Sequence, residues 1–230
     1  MPNFSTLKAK CRVPLTFSQP DSNRGDMYDH TYLSFIKLSN QYFLLGGQSM
    51  PEISVLLKPS RQNNGVREWL RATCEHAAIL SSAVAIMHPH MYHTSREALV
   101  HLGTWAASHG QANITDQLAL WPLVYNVASI MANRASLLHM DQFSRPQWLD
   151  LLVTFGNYTN LHFLIPSLHC RFFYEPGTLI TLLGQLLLHS VGGTNGDQGI
   201  ISYYMQDNVH EFVNVPRCNY MEYSKVPTGM

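Results

Sequence analysis

Apolar positions recur at two different periods along this chain, and the change of period divides it. Between Val66 and Met87, the residues Trp69, Leu70, Cys74, Ala77, Leu80, Ala83, Val84 and Met87 follow one another at steps of three and four. That spacing predicts one helix with a buried face, and Pro89 is expected to stop it. A second helix is expected from Thr94. Thr94 and Glu97 have capping-box spacing, in which the Thr hydroxyl accepts from the N3 amide and the Glu side chain reaches back. Leu99, Leu102, Trp105 and Ala106 form its stripe, and Gly110 ends it. Between the two, the cluster of His88, His90 and His93 reads as an interhelix loop, because Pro89 breaks the helix there.

After Trp121 the rhythm shortens. The runs YNVASIM, LDLLVTF, LHFLI, LHCRFFY, TLITLL, QLLLHSV and IISYYM follow one another at the short spacing of strands. Turn signals separate them at Arg145–Pro146, Gly156–Asn157, Pro166–Ser167, Pro176–Gly177, Gly184 and the loop from Gly192 to Asp197. This pattern predicts an antiparallel sandwich or barrel. Upstream, TYLSFIKL, QYFLLGG and ISVLL read as short strands, with a break at Gly46–Gly47 and a polar linker from Pro59 to Gly65. The expected organisation is an irregular lead-in over residues 1–30 and a single α+β domain over 31–230. Its helical part covers about 60–120 and its β core about 121–210.

Composition narrows the classes of function. Hydrophobic residues make up 46% of the 230, enough for a substantial core. Lys plus Arg and Asp plus Glu are each 15, so the formal charge is zero. That excludes a binder whose affinity rests on global positive charge, and a nucleic-acid partner would need a local patch. Lys58, Arg61, Arg67 and Arg71 gather near the first helix start, where a solvated face is the default reading and phosphate contact the alternative. No apolar run reaches transmembrane length, and the opening MPNFSTLKAKCRV lacks a secretory apolar core, so an intracellular protein without a membrane partner is expected. Cys11, Cys74, Cys170 and Cys218 lie far apart with no CxxC pair, which argues for free thiols. Twelve histidines are the one oddity.

The chemistry centres on His139-Met140-Asp141. In an extended chain, residues i and i+2 point the same way, so an imidazole and a carboxylate at this spacing can meet one metal ion. A third ligand must come from another strand, and His189 at the end of QLLLHSV is placed to supply it if the sheet folds back. Two His and one carboxylate leave one face of an octahedron open, as in non-heme Fe(II) oxygenases. The spacing alone is weak, because a histidine on an apolar strand is more often a hydrogen-bonded core residue than a ligand. His162, His169 and His210 could also crowd such a pocket. Trp148 and Tyr158 read as core or rim aromatics rather than base-stacking platforms.

The wider context is more specific. NRASLLHMDQFSRPQWLDLLVTFGNY, then PGTLITLLGQLLLHSV, then GDQGIISYYMQDNVHE resembles the TET/JBP family of 2-oxoglutarate- and Fe(II)-dependent dioxygenases, most closely its compact fungal members. The shared order runs N-R, H-x-D, R-P-x-W-x-D-L, P-G-T, a distal His, a glycine-rich loop and Y-Y-M. The resemblance covers residues 66–210. It implies a double-stranded β-helix core of the jelly-roll or cupin kind, with N-terminal helices packed outside. It implies His139, Asp141 and His189 as iron ligands and as the catalytic set. Arg134 would lie on the side of the cosubstrate 2-oxoglutarate. The implied reaction oxidises the methyl group of 5-methylcytosine in DNA with dioxygen. The target base would be flipped out, since its methyl carbon cannot otherwise reach a buried iron. A nuclear location follows from that substrate, and a monomer is expected.

The chain departs from the family at one point. Members usually carry an Arg about ten residues after the distal His, to hold the far carboxylate of 2-oxoglutarate. Here that position is Gln198, and the residue after Y-Y-M, often another Arg, is Gln206. Losing one partner of a buried charge pair costs about 2–5 kcal/mol, roughly thirtyfold to a few thousandfold in affinity. Compensation by Arg134, Arg171 or another basic residue is one reading, with Gln198 still on the cosubstrate and Gln206 on the substrate side. The others are a catalytically impaired relative that acts as a DNA- or protein-binding module, and a metal-free β-sandwich with structural histidines.

Overall fold

The structure, a computed structural model, describes residues 34–39, 51, 53, 57, 64–133, 135–141, 144–193 and 196–222. They fall into two compact units, one holding Leu38–Val127 with the segment from Met205 onward, the other holding Ala128–Tyr204. Of the three early strands expected, the second and third lie outside the described residues or are described only in part. The first is β1 (Ser34–Ser39).

The helical unit contains α1 (Asn64–Ala72), α2 (Cys74–Met87), α3 (Pro89–Ser108), α4 (Ala112–Leu118) and α5 (Asp207–Phe212). The single helix expected over Val66–Met87 is interrupted at Thr73, whose hydroxyl donates to the Trp69 carbonyl at 2.8 Å. The backbone ladder continues through it, the Thr73 amide donating to the same carbonyl at 3.0 Å. Leu70, Ala77 and Val84 stay buried at steps of seven, whereas Cys74, counted in the buried stripe, is exposed.

Pro89 corrects a second expectation: it begins a helix. A proline lacks the amide that a first-turn residue leaves unpaired anyway, so it fits position N1 as well as it fits a stop. His88 is the N-cap, and its Nδ1 accepts from the Met91 amide at 3.3 Å. His90 and His93 therefore lie on α3 rather than in a loop. Thr94 does not cap: its hydroxyl bonds back to the His90 carbonyl at 3.0 Å. Met91, Ala98, Leu102 and Ala106 are fully buried along one face of α3.

The segment from Met205 is tied to this unit through Asn126. Its side-chain nitrogen donates to the Gln206 carbonyl at 3.1 Å, and its oxygen accepts the Gln206 amide at 2.8 Å. Among the described residues, no helix is long and apolar enough to cross a membrane.

The β unit contains β2 (Val127–Ala132), β3 (Ser136–His139), β4 (Asp150–Asn157), β5 (His162–Ile165), β6 (Cys170–Phe173), β7 (Leu179–Leu182), β8 (His189–Val191) and β9 (Asp197–Tyr204). One sheet has the order β1-β2-β9-β4-β7 and the other β3-β8-β5-β6. The strand pairs of described register are antiparallel. The fold is therefore α+β with two antiparallel sheets and a jelly-roll-like core. Leu152 and Leu182 of one sheet, Phe163 and Val191 of the other, and Ile200 form one buried apolar cluster with Tyr158, Leu161, Ile165 and Tyr174. Burying each large side chain contributes about 1.5–3 kcal/mol.

The β4–β9 pair, the longest in register, runs from Leu151↔Tyr203 to Asn157↔Asp197. It requires glycine at Gly156, where φ is +135° and a Cβ would lie 2.0 Å from the Asp197 carbonyl oxygen.

His210 on α5 is wholly buried, its Nδ1 3.3 Å from the Val215 carbonyl oxygen. Burial pushes its imidazole below the ordinary value of 6.5. The unfolded chain therefore takes up this proton first as pH falls, and stability drops below about pH 6.5 by up to about 1.4 kcal/mol per pH unit for this group. In urea denaturation from pH 7.5 to 5.5, the wild type should lose stability more steeply than His210→Gln.

Candidate metal centre

The β3–β8 pairing sets the site. The two strands are antiparallel, with His139 directly opposite His189. Cross-strand partners put their side chains on the same face, and the two rings lie 4.3 Å apart between centroids. Asp141 follows two residues after His139. Its Oδ1 is 3.7 Å from Nε2 of His139, and its Oδ2 is 3.7 Å from Nε2 of His189. One donor atom from each of the three residues lies within 4.8 Å of the others.

Both imidazoles are oriented by the same local device. Nδ1 of His139 is 2.7 Å from the Leu137 carbonyl oxygen, and Nδ1 of His189 is 2.8 Å from that of Leu187. A carbonyl only accepts, so both Nδ1 atoms carry a proton, and a neutral ring at either position keeps its lone pair on Nε2. Those lone pairs face Asp141. A tautomer held this way is the arrangement that metal-ligating histidines use.

The 3.7 Å gaps are too long for direct hydrogen bonds. They lie between the cis and trans separations, about 3.0 and 4.2 Å, of donors about 2.1 Å from a shared ion. Two neutral imidazoles and a carboxylate suit a divalent transition metal and leave part of its coordination sphere free.

The surroundings are asymmetric. The His189 side chain is 3% exposed and stacks at 10° on Phe163 of the core. Burial lowers its affinity for a proton, with the neighbouring His139 acting in the same direction and the Leu187 carbonyl and the Asp141 charge opposing. A neutral ring stays available for metal at neutral pH. The Asp141 side chain is 40% exposed, so the cluster has one dry wall and one open side.

Three residues that the motif spacing did not single out complete the site. Asp150 is buried at the start of β4, and its Oδ1 accepts from the Ser144 hydroxyl at 3.0 Å. Burial first, then the Asp141 charge, holds its carboxyl well above the usual range. Gly184, read only as a turn, accepts the Asp141 amide on its carbonyl at 2.9 Å. Tyr204 bonds the Ser129 hydroxyl at 3.1 Å, and burial with the charges of Asp150 and Asp141 raises its phenol. Asp150 and Tyr204 belong to the R-P-x-W-x-D-L and Y-Y-M elements, which was the only sequence signal for them.

The other expected residues that are described lie on other elements or on the connections between elements. Gln198 is buried on the β9 face that also carries Ile200 of the core. Its amide donates to Asn133 Oδ1 at 2.6 Å. Its side chain lies beside the Tyr158 hydroxyl, which bonds Thr154 and the Tyr174 carbonyl, yet the Gln198 carboxamide atoms reach hydrogen-bond geometry with no protein group. Arg134 lies outside the described residues. Arg171 is exposed on β6 opposite Leu164, and its guanidinium is 3.1 Å from His162 Nδ1. Strand alternation puts it on the face opposite Phe163 and Ile165, so it is turned away from the interior. Gln206 and His210 belong to the helical unit. His162 and His169 are not in the cluster, and Trp148 and Tyr158 are buried.

No family model and no curated protein sequence matches this chain. Among solved structures, NgTET1 in complex with 5mC DNA matches at 18% identity and a TM-score of 0.36, over 46% of this chain and 42% of that one. Hydroxypropylphosphonic acid epoxidase from S. wedmorenis matches at 7% identity and a TM-score of 0.26, over 34% of this chain and 42% of that one. The same epoxidase in complex with fosfomycin gives the same identity and TM-score. The matched region spans less than half the length of each of these proteins. Similarity at this level assigns neither a family nor an activity.

Anaerobic titration of the metal-free protein with Co(II) or Fe(II) should give one site per chain. His189→Ala and His139→Ala should each weaken it by more than the roughly 10–100-fold that outer partners contribute. Binding unchanged in both variants would show that the histidines are structural.

Proposed function

We propose that this chain is an Fe(II)- and 2-oxoglutarate-dependent dioxygenase that oxidises the methyl group of 5-methylcytosine in DNA. The observation that carries the reading is the convergence of His139, Asp141 and His189, with both Nε2 lone pairs free, inside a chain that has the TET/JBP motif order. The donor set suits ferrous iron. With 2-oxoglutarate, iron at such a site supplies the activation of dioxygen that hydroxylation of an unreactive methyl C–H requires.

The chain's own residues do the rest. His189 and Phe163 form the dry wall behind the ion, and the Nδ1 hydrogen bonds keep both imidazoles aimed. Substrate approaches from the Asp141 side, where the cluster is open. A cytosine must leave the duplex to reach it, at a cost of a few kcal/mol in stacking and pairing. Arg134 is assigned to the cosubstrate by its place five residues before His139, and Gln198 to the far carboxylate. Gln206 keeps the substrate-side assignment that its position after Y-Y-M suggests. A nuclear monomer accords with this substrate.

Gln198 also favours a second reading, an impaired relative. Its carboxamide, with the Tyr174 hydroxyl, offers hydrogen bonds to a carboxylate but no charge. Of the arginines in the β unit, Arg145 sits over the Trp148 ring at 5.9 Å and Arg171 against His162. Arg134, outside the described residues, is the arginine whose place in the motif order suits it to compensate.

One assay separates the readings: protein, Fe(II), ascorbate, 2-oxoglutarate and methylated duplex, with mass spectrometry of nucleosides and succinate. The first reading expects oxidised cytosine with matching succinate, lost in His139→Ala and Asp141→Ala. Full oxidation by both variants would reject it. The impaired reading expects little succinate and weak cosubstrate binding, with Gln198→Arg tightening 2-oxoglutarate by about thirtyfold or more. A micromolar 2-oxoglutarate affinity in the wild type by calorimetry would reject that reading.

A further inference from the structure

Asp141 stands outside any strand, and its side chain is the most exposed of the three candidate ligands. Something must hold such a carboxylate against two fixed imidazoles, and the structure shows what lies behind it. The Asp141 amide donates to the Gly184 carbonyl at 2.9 Å. The same glycine leaves room for the carboxylate. A Cβ at position 184 would lie 2.4 Å from Asp141 Oδ2, 3.2 Å from Asp141 Cγ and 2.5 Å from Asp150 Oδ2. Two carboxyl oxygens thus share the volume of one absent methyl group. Its φ is not in the left-handed range, so the need for glycine here is one of space and not of backbone conformation.

Asp150 is the second half of this seat. It is 1% exposed, its Oδ1 is engaged by Ser144, and its Oδ2 has no protein hydrogen-bond partner. That free oxygen lies beside Asp141 Oδ2, the oxygen on the His189 side; Asp141 Oδ1 is the one on the His139 side. A buried polar atom without a partner is costly unless it meets one in the working state.

We infer that Gly184 and Asp150 are positioning residues of the metal centre, Gly184 through its carbonyl and bare Cα, and Asp150 as the buried polar side chain packed beside Asp141 Oδ2. The inference rests on the metal reading of the triad. Outer-shell partners of this kind typically contribute 10–100-fold to metal affinity.

The test uses the full chain with Co(II), whose d–d absorption reports the ligand field, together with chelator competition for affinity and thermal melts for folding. Gly184→Ala should lower Co(II) affinity by about tenfold or more and alter the d–d bands. Asp150→Leu should lower affinity by about 10–100-fold, whereas Asp150→Asn, which keeps the size and polarity of the side chain, should stay within about threefold and keep the wild-type spectrum. Wild-type affinity and spectrum in both Gly184→Ala and Asp150→Leu overturn the inference and leave the metal site standing. If Gly184→Ala does not fold, the pair at position 150 decides, and equal affinity in Asn and Leu overturns it. A wild type that binds no Co(II) overturns the metal reading and this inference with it.

Discussion

The candidate centre depends on the register of two short strands. β3 has four residues and β8 three, and their antiparallel pairing sets His139 opposite His189. A slip of one residue would turn one imidazole to the other face of the sheet. The pairing is held by more than its own few hydrogen bonds. β8 also pairs with β5 through Phe163↔Val191, and both residues belong to the core between the sheets. Burial of apolar side chains therefore fixes the position of a polar site.

The two histidines are presented in the same way although they come from distant parts of the chain. Each bonds the carbonyl two residues before it. This is a local interaction, available before the sheets close, and it leaves Nε2 free in both cases. The carboxylate lacks such a local restraint. Its placement comes from Gly184 and from the start of β4, elements that reach it only through the fold. Aiming the imidazoles is thus written locally, and seating the carboxylate is tertiary.

That difference explains how much could be read from sequence. The strand-rich half was legible because its apolar runs are short and bounded by Gly and Pro turns. β3 was not counted among them, since Leu137 and Leu138 are more than half exposed and the strand buries little. Pro89 misled because a proline that ends one helix and one that begins the next look alike in sequence, and only the His88 cap tells them apart. α4 and α5 are seven and six residues long, too short for a periodic signal. At the site, His139 and Asp141 were visible as a pair, and His189 as a third donor if the sheet folded back. Gly184 read as a turn because close approach of two carboxyl groups to one Cα leaves no mark on local pattern. Arg171 looked available as a cation until strand alternation turned it outward.

The unequal exposure of the three donors has a kinetic consequence. With His189 sealed against Phe163 and Asp141 the most exposed of the three side chains, a cation bound here would enter past Asp141 and reach the inner imidazole last. A bulky molecule docked across that opening would then slow its exchange.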